Sequence, residues 1–158
     1  MPIEKNELRM VMGHFATGVT IITTFNKEGQ LHGLTANAFT SLSLVPPLCV
    51  ICVDKKAESY ASFEESKVFT VNILKDDQET LSRKFAVSGG DKFSGVAYRR
   101  GGNGAPILDG VIAWLECKVV ASHDGGDHTI HIGEIEEAGT HEGKPLMFFR
   151  GGYRALGE

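Results

Sequence analysis

The strongest limit on the fold is a pair of long strand-like runs separated by four turn residues. Residues 110–124, GVIAWLECKVVASHD, and 128–139, HTIHIGEIEEAG, are rich in β-branched and aromatic residues. DGGD at 124–127 suits a tight turn between them. Runs joined this closely return antiparallel, because a parallel pair needs a crossover of about a dozen residues or more.

The pattern recurs along the chain. GVTIITTFN (18–26) and QLHGLTANA (30–38) flank the turn NKEG and predict a second hairpin. PLCVICVD (47–54), bounded by Pro46 and Pro47, is continuously apolar and predicts a strand buried on both faces. KVFTVNILK (67–75) and LMFFRGGY (146–153) add further strands, the latter after the turn THEGKP. Helices are predicted over 4–15, where Leu8, Val11, Met12 and Phe15 share a face, over 56–66 with Asp54 near its start, and over 76–87. Residues 88–108, SGGDKFSGVAYRRGGNGAPIL, read as a glycine-rich loop. Strands outnumber helices and follow one another through short turns. The expected fold is therefore a mostly-β antiparallel barrel with short peripheral helices, a single domain over 1–158.

Charge narrows the partners. Sixteen basic residues against twenty acidic ones leave a net charge of −4, and Lys55-Lys56 and Arg99-Arg100 are pairs rather than patches. Nucleic acid is not an expected partner, since phosphate binding needs a clustered basic surface. No apolar run approaches the roughly 20 residues of a membrane helix, and MPIEKNELRM is too polar for a signal peptide. A cytoplasmic protein is the expectation. Cys49 and Cys52 form a C-x-x-C, but in a strand they face opposite sides, so with Cys117 they read as buried free thiols.

Two stretches carry possible chemistry. TANAFTSLSLVPP (35–47) lines up hydroxyls at a strand exit, which suits an anion as well as it suits an ordinary turn. In GDHTIHIG (126–133), alternation puts His128, Ile130 and Ile132 on one face and Thr129 and His131 on the other. If the isoleucine face is the buried one, His128 sits at the rim of a core or pocket, as a structural or a functional histidine. His128 and His131 cannot share a metal from opposite faces, and no metal site is expected. There is no G-x-G-x-x-G or G-x-x-x-x-G-K-[ST] nucleotide loop and no G-x-S-x-G elbow.

Taken in order, the blocks GLTANAFTSLSLVPPLCVICVDKKAESY (33–60), FTVNIL (69–74), SRKFA (82–86), PILDGVIAWLECKV (106–119), GDHTIHIGEI (126–135) and PLMFFRGGY (145–153) give the chain a family likeness. The sequence resembles the flavin reductase family with the FMN-binding split-barrel fold, the small NAD(P)H:flavin oxidoreductases that supply two-component monooxygenases. The resemblance implies that Thr35, Ala36 and Asn37 lie against the isoalloxazine ring, and that Ser41, Leu42 and Ser43 hold the ribityl chain and phosphate. Cys52, Val53 and Asp54 would line the other ring edge, Lys55 and Ser59 would approach the phosphate, and Lys84 and Phe85 would clamp the flavin tail. His128 inherits the place over the flavin face where the nicotinamide stacks, and Tyr153 would flank the same pocket.

The implied cofactor is FMN, with FAD possible, and the implied co-substrate is NADH or NADPH. A homodimer is implied, delivering reduced flavin or electrons to a monooxygenase or another acceptor. Three other readings stand beside this one: an FMN electron carrier with little NAD(P)H turnover, a ligand-binding barrel without flavin, and a barrel of the pyridoxamine-phosphate-oxidase type.

Overall fold

The alternation that predicts strands also decides which of them can be walls. The computed structural model describes residues 2–157. Its elements in chain order are α1 (Lys5–Met12), β1 (Thr17–Gly18), β2 (Thr20–Phe25), β3 (Leu31–Ala36), β4 (Phe39–Leu44), β5 (Pro47–Asp54), α2 (Tyr60–Ser66) and β6 (Val68–Ile73). Then follow α3 (Glu79–Phe85), β7 (Tyr98–Arg100), β8 (Pro106–Leu108), β9 (Ala113–Gly125), β10 (His128–Thr140), β11 (Leu146–Phe149) and β12 (Gly152–Ala155). A seven-stranded sheet has the order β3-β2-β6-β9-β10-β5-β4, beside a three-stranded sheet β1-β11-β12 and the pair β7-β8. All named pairings are antiparallel and the sheets do not close on one another, which is a mostly-β split barrel.

Both predicted hairpins form. β9 and β10 turn at Gly126, whose φ of +75° suits glycine, and β2 and β3 turn around Asn26, whose side-chain oxygen accepts from the N–H groups of Glu28 and Gln30. The strand buried on both faces is not β5. In β5 only Cys49, Ile51 and Val53 are buried, alternating with half-buried neighbours. Consecutive residues are buried instead along β2 and β6, neighbours on the β3 side of the sheet. Consecutive residues of β2 serve two cores: Ile21 packs with Val19, Leu74, Phe85 and Leu108, and Ile22 with Ile51, Phe63, Phe69 and Val71.

Apart from Thr70, whose buried hydroxyl has no partner among the described residues, polar residues in these walls tie elements together. Thr23 Oγ1 donates to Pro106 O at 2.5 Å, while Asn72 donates to Ile21 O and accepts from Leu108 N–H, fixing β8 across the sheet. The predicted loop 88–108 thus contains the short β7-β8 pair. The last predicted strand is a hairpin, β11-β12, turned at Arg150 and Gly151, both at positive φ. α2 starts at Tyr60, just after Ser59, rather than at 56, and Asp54 instead accepts from Lys56 N–H in the turn before it. No helix is long and apolar enough to cross a membrane.

On β10 the alternation holds but the faces are reversed from the expectation. Thr129, His131 and Gly133 are buried, and His128, Ile130 and Ile132 are half-buried. The interior accepts the polar pair because Tyr60 Oη meets Thr129 Oγ1 at 2.7 Å and Ser122 Oγ meets His131 Nδ1 at 2.7 Å. His131 stacks on Phe63 with centroids 5.9 Å apart, and its Nε2 has no partner among the described residues.

Burial holds the His131 pKa below the ordinary 6.5, with Glu64 opposing and Lys67 adding to the shift. The unfolded chain therefore takes up this proton first as pH falls, and stability is lost on the acid side of 6.5. Melting temperatures measured across that range should fall with pH in the wild type, with a flatter acid limb in His131→Phe. An equal slope in the two proteins would overturn the assignment.

Candidate functional site

The C-terminal end of β5 and the exit of β3 lie side by side, and the turn into α2 closes one end of the gap between them. The result is a cleft of about 400 Å³. Leu34, Thr35, Ala36 and Asn37 form one wall, Cys52 and Asp54 another, and Lys56 to Ser59 the end. Phe85 to Ser88 and Lys92, a strap running out of α3, close the third side, and His128 stands at the margin. A second cleft of about 590 Å³ lies beyond Glu58, Ser59 and Lys92, which border both; Gln30 to Gly33, Gly90 to Phe93 and Tyr98 complete it.

His128 reaches the cleft through strand register. It pairs with Asp54 across β5 and is the first residue of β10, so the turn 124–127 sets its position. Its Nδ1 lies 2.7 Å from Asp127 Oδ1. A carboxylate only accepts, so Nδ1–H donates and Nε2 is left for a ligand. The His128 bond holds the Asp127 carboxyl below the usual carboxylate range. Lys55 clips the same turn to β5: its backbone N–H donates to Asp127 O, and its ammonium donates to the Asp124 carboxylate and to Gly126 O. Asp124 is correspondingly lowered and Lys55 raised.

The walls combine surfaces of opposite character. Leu34, Ala36, Phe85 and Cys52 supply apolar area, and burial pushes the Cys52 thiol up, keeping it neutral. Gly33 has no room for a Cβ, since one there would lie 2.9 Å from the Phe85 ring, so this close approach seats the phenylalanine. Thr35 Oγ1 donates to Ser82 O at 2.6 Å, anchoring β3 to α3. Asn37 and the buried Ser59 make no side-chain hydrogen bond to another described residue, so both remain available. A flat apolar ring with a hydrogen-bonding edge and a polar, anionic tail fits this donor set. Among the described residues no cluster of His, Cys, Asp or Glu could hold a metal ion.

Sequence-derived residues divide by where their side chains go. Thr35, Ala36, Asn37, Cys52, Asp54, Ser59, Phe85 and His128 come together at the cleft. Val53, between Cys52 and Asp54, necessarily faces the other way and is fully buried in the core. Ser41, Leu42 and Ser43 lie on β4, the edge strand, outside the cleft lining. Lys55 is engaged by the β9-β10 turn, and Lys84 donates to Ser94 O at the base of the strap. Tyr153 lies on β12, where its hydroxyl meets Ser82 Oγ at 2.7 Å and Arg83 covers its ring. Its hydrogen-bonded link to the cleft runs through Ser82, whose carbonyl accepts from Thr35. Sequence reasoning missed Lys56, Glu58, Ala86 to Ser88 and Lys92. The glycines of SGGDKFSG, Gly89, Gly90 and Gly95, all sit at positive φ in open surroundings and turn the strap, which was the available signal for Lys92.

Known proteins share this arrangement. The family described as "Flavin reductase like domain" matches residues 12–157. An NADH-dependent flavin reductase of Rhodococcus sp is 42% identical over 153 residues, covering 94% of this chain and 85% of that protein. The reductase component of a 4-nitrophenol 4-monooxygenase/4-nitrocatechol 2-monooxygenase from Rhodococcus opacus is 41% identical, covering 95% and 80%. Among solved structures, the NADH:FAD oxidoreductase SgcE6 of Streptomyces globisporus, in complex with NAD and FAD fragments, matches with a TM-score of 0.93. It is 38% identical, with 98% of this chain and 93% of that one covered.

Proposed function

The chain belongs to the flavin reductase family, and from that premise we propose that it transfers hydride from NADH or NADPH to a flavin that then serves a separate monooxygenase component. The flavin, when bound, supplies the electron-accepting ring chemistry; the protein supplies position and field. Leu34, Ala36, Cys52 and Phe85 shield one side from water. Asn37 and Thr35 lie beside the polar ring edge, and Ser59 toward the tail. His128, with Nε2 free to accept, would orient the nicotinamide carboxamide by accepting a hydrogen bond from its N–H. The observation that carries this reading is the Asp127–His128 pair standing at the margin of the same cleft as Thr35, Ala36 and Asn37.

The second cleft gives room for the nucleoside end of FAD as well as for FMN, in keeping with the FAD fragments bound to SgcE6. The NADH-dependent reductase of Rhodococcus sp and the NADH:FAD oxidoreductase SgcE6 favour NADH. A homodimer is supported by apolar side chains that nothing in this chain covers: Leu8, Val11 and Met12 of α1, with Phe15, Leu44 and Val45, the last 92% exposed.

The test is titration of the purified protein with FMN and FAD by fluorescence quenching, then NADH and NADPH oxidation with added flavin, and light scattering for the assembly. Micromolar flavin binding, turnover with NADH and a dimeric mass are expected. Poor turnover with flavin retained through gel filtration would favour the electron carrier, and failure to bind either flavin would reject the reading.

A further inference from the structure

The polar pair that β10 turns inward, Thr129 and His131, packs against α2, and the residues leading into α2 close one end of the cleft. α2 is fastened differently at its two ends. Its far end is tied to the β2 side: Ser66 Oγ meets Thr24 Oγ1 at 2.8 Å, and Glu65 accepts from Lys27 N–H at 2.8 Å. Its near end is tied to β10, through Tyr60 Oη to Thr129 Oγ1 at 2.7 Å and through Phe63, whose ring stacks on His131 with planes 17° apart. Glu58 and Ser59, immediately before α2, border both clefts. The grip of β10 on this near end therefore sets how tightly the cleft is closed there.

Among these contacts His131 is the one that titrates near neutrality. Its ring is 1% exposed, Ser122 Oγ serves Nδ1, and Nε2 has no partner among the described residues. A neutral imidazole leaves at most one nitrogen unanswered. Protonation makes both nitrogens donors, so a charge and an unpaired N–H are then buried against Phe63. The surroundings give little relief. Glu64 of α2 favours the proton, and Lys67 just after α2 disfavours it. β9 offers the Ser122 hydroxyl, β5 pairs the apolar Ile51 with the ring's strand position, and Tyr60, which titrates far above neutrality, is held by Thr129.

We infer that His131 is a positioning residue for this end of the cleft: neutral, it seats the first turn of α2 on β10, and protonated, it lets that turn lift, so that flavin leaves faster as pH falls. The inference rests on the flavin reductase reading for its ligand, while the latch itself is a property of the chain. The proton comes from solvent and no covalent bond changes. Because the far end of α2 stays tied to β2, the lifting is local.

The experiment measures FAD dissociation by stopped-flow fluorescence at about pH 7.5 and about pH 5.5, either side of the ordinary histidine range, in wild type, His131→Phe and Tyr60→Phe. Hydrogen exchange of residues 57–67 is followed in parallel and corrected for its intrinsic pH dependence. FAD is the probe because it lacks the phosphomonoester that titrates near about pH 6. Wild-type release is expected to quicken about fivefold to tenfold, tenfold being the limit for one linked proton whose pKa returns to 6.5 when the turn lifts. Exchange in α2 should rise in step while β2 stays protected, a readout that needs no variant. In His131→Phe both changes should stay within about twofold, and any effect of His128 titration is common to the two proteins. Tyr60→Phe, which loses the other tie at that end, should release FAD faster at both pH values with the pH ratio kept. Equal pH ratios in wild type and His131→Phe would overturn the inference, as would exchange that rises equally in α2 and β2. A wild type that binds no flavin would reject the flavin reading, and the exchange data would still decide the latch.

Discussion

Replacing His128 by alanine is expected to lower kcat/KM for NADH about 10²-fold, mainly through a higher KM, while flavin affinity stays within about twofold. The reason is division of labour within the cleft. His128 stands at the margin on β10, whereas the ring-facing walls come from β3, β5 and the strap. Removing the imidazole leaves those walls in place and takes away the acceptor proposed for the co-substrate. Asp127→Asn tests the same geometry without emptying the site. An amide in place of the carboxylate can donate to Nδ1, which favours the tautomer carrying its proton on Nε2 and inverts what the ring offers the nicotinamide. A loss of about tenfold in kcat/KM is expected, roughly the worth of one misdirected hydrogen bond. Steady-state kinetics at saturating flavin measure both effects. A KM for NADH unchanged in His128→Ala would reject the assignment.

The second large effect concerns stability. Gly133 of β10 lies on the buried face opposite Cys49, and a Cβ there would sit 2.5 Å from Phe69 Cζ and 3.0 Å from Cys117 Cβ. Phe69 and Cys117 are both fully buried, so neither can swing out to solvent. Gly133→Val therefore overfills the core that Phe63, Val71 and Ile51 also share. The expected cost is about 3 kcal/mol, or a melting temperature lowered by about 6–12 °C for a chain of this length. Thermal unfolding followed by circular dichroism checks it. Phe69→Leu in the same chain should recover part of the loss by vacating the ring edge. A single variant that melts within about 2 °C of wild type would refute the packing account.

How far the sequence could be read depended on which physical signal each residue carried. Turn chemistry was legible: Asn26 and Gly126 made the two hairpins that were expected of them. Parity was legible too, since His128, Ile130 and Ile132 do share a face. Which face is interior was not, because alternation is symmetric and the answer depends on partners distant in sequence. Ser122 and Tyr60 make Thr129 and His131 acceptable inside, and neither pairing is visible from GDHTIHIG.

The same limit explains β5, read as doubly buried from its apolar composition. Its outward residues Val50 and Cys52 are only half covered, whereas β2 and β6 are packed over by α2 and β8, and β2 also by α3, partners that composition does not reveal. At the site, contiguous blocks over-assigned. Cys52, Val53 and Asp54 cannot all face one cleft from a strand, and Val53 is the one turned into the core. Lys92 was missed for the opposite reason: it lies in a glycine-rich stretch with no periodicity, and its place in the cleft lining comes from where the strap is laid down.

That strap has a consequence for timing. Its two ends are anchored by the buried Phe85 and Phe93, but between them residues 86–91 are exposed, and Gly89 N–H to Glu58 is the main fastening there. Hydrogen bonds of this kind yield locally at small free-energy cost, long before the barrel loosens. Opening of this exposed middle is thus uncoupled from global unfolding, and one side of the cleft can loosen while the barrel that supplies the other walls keeps its shape.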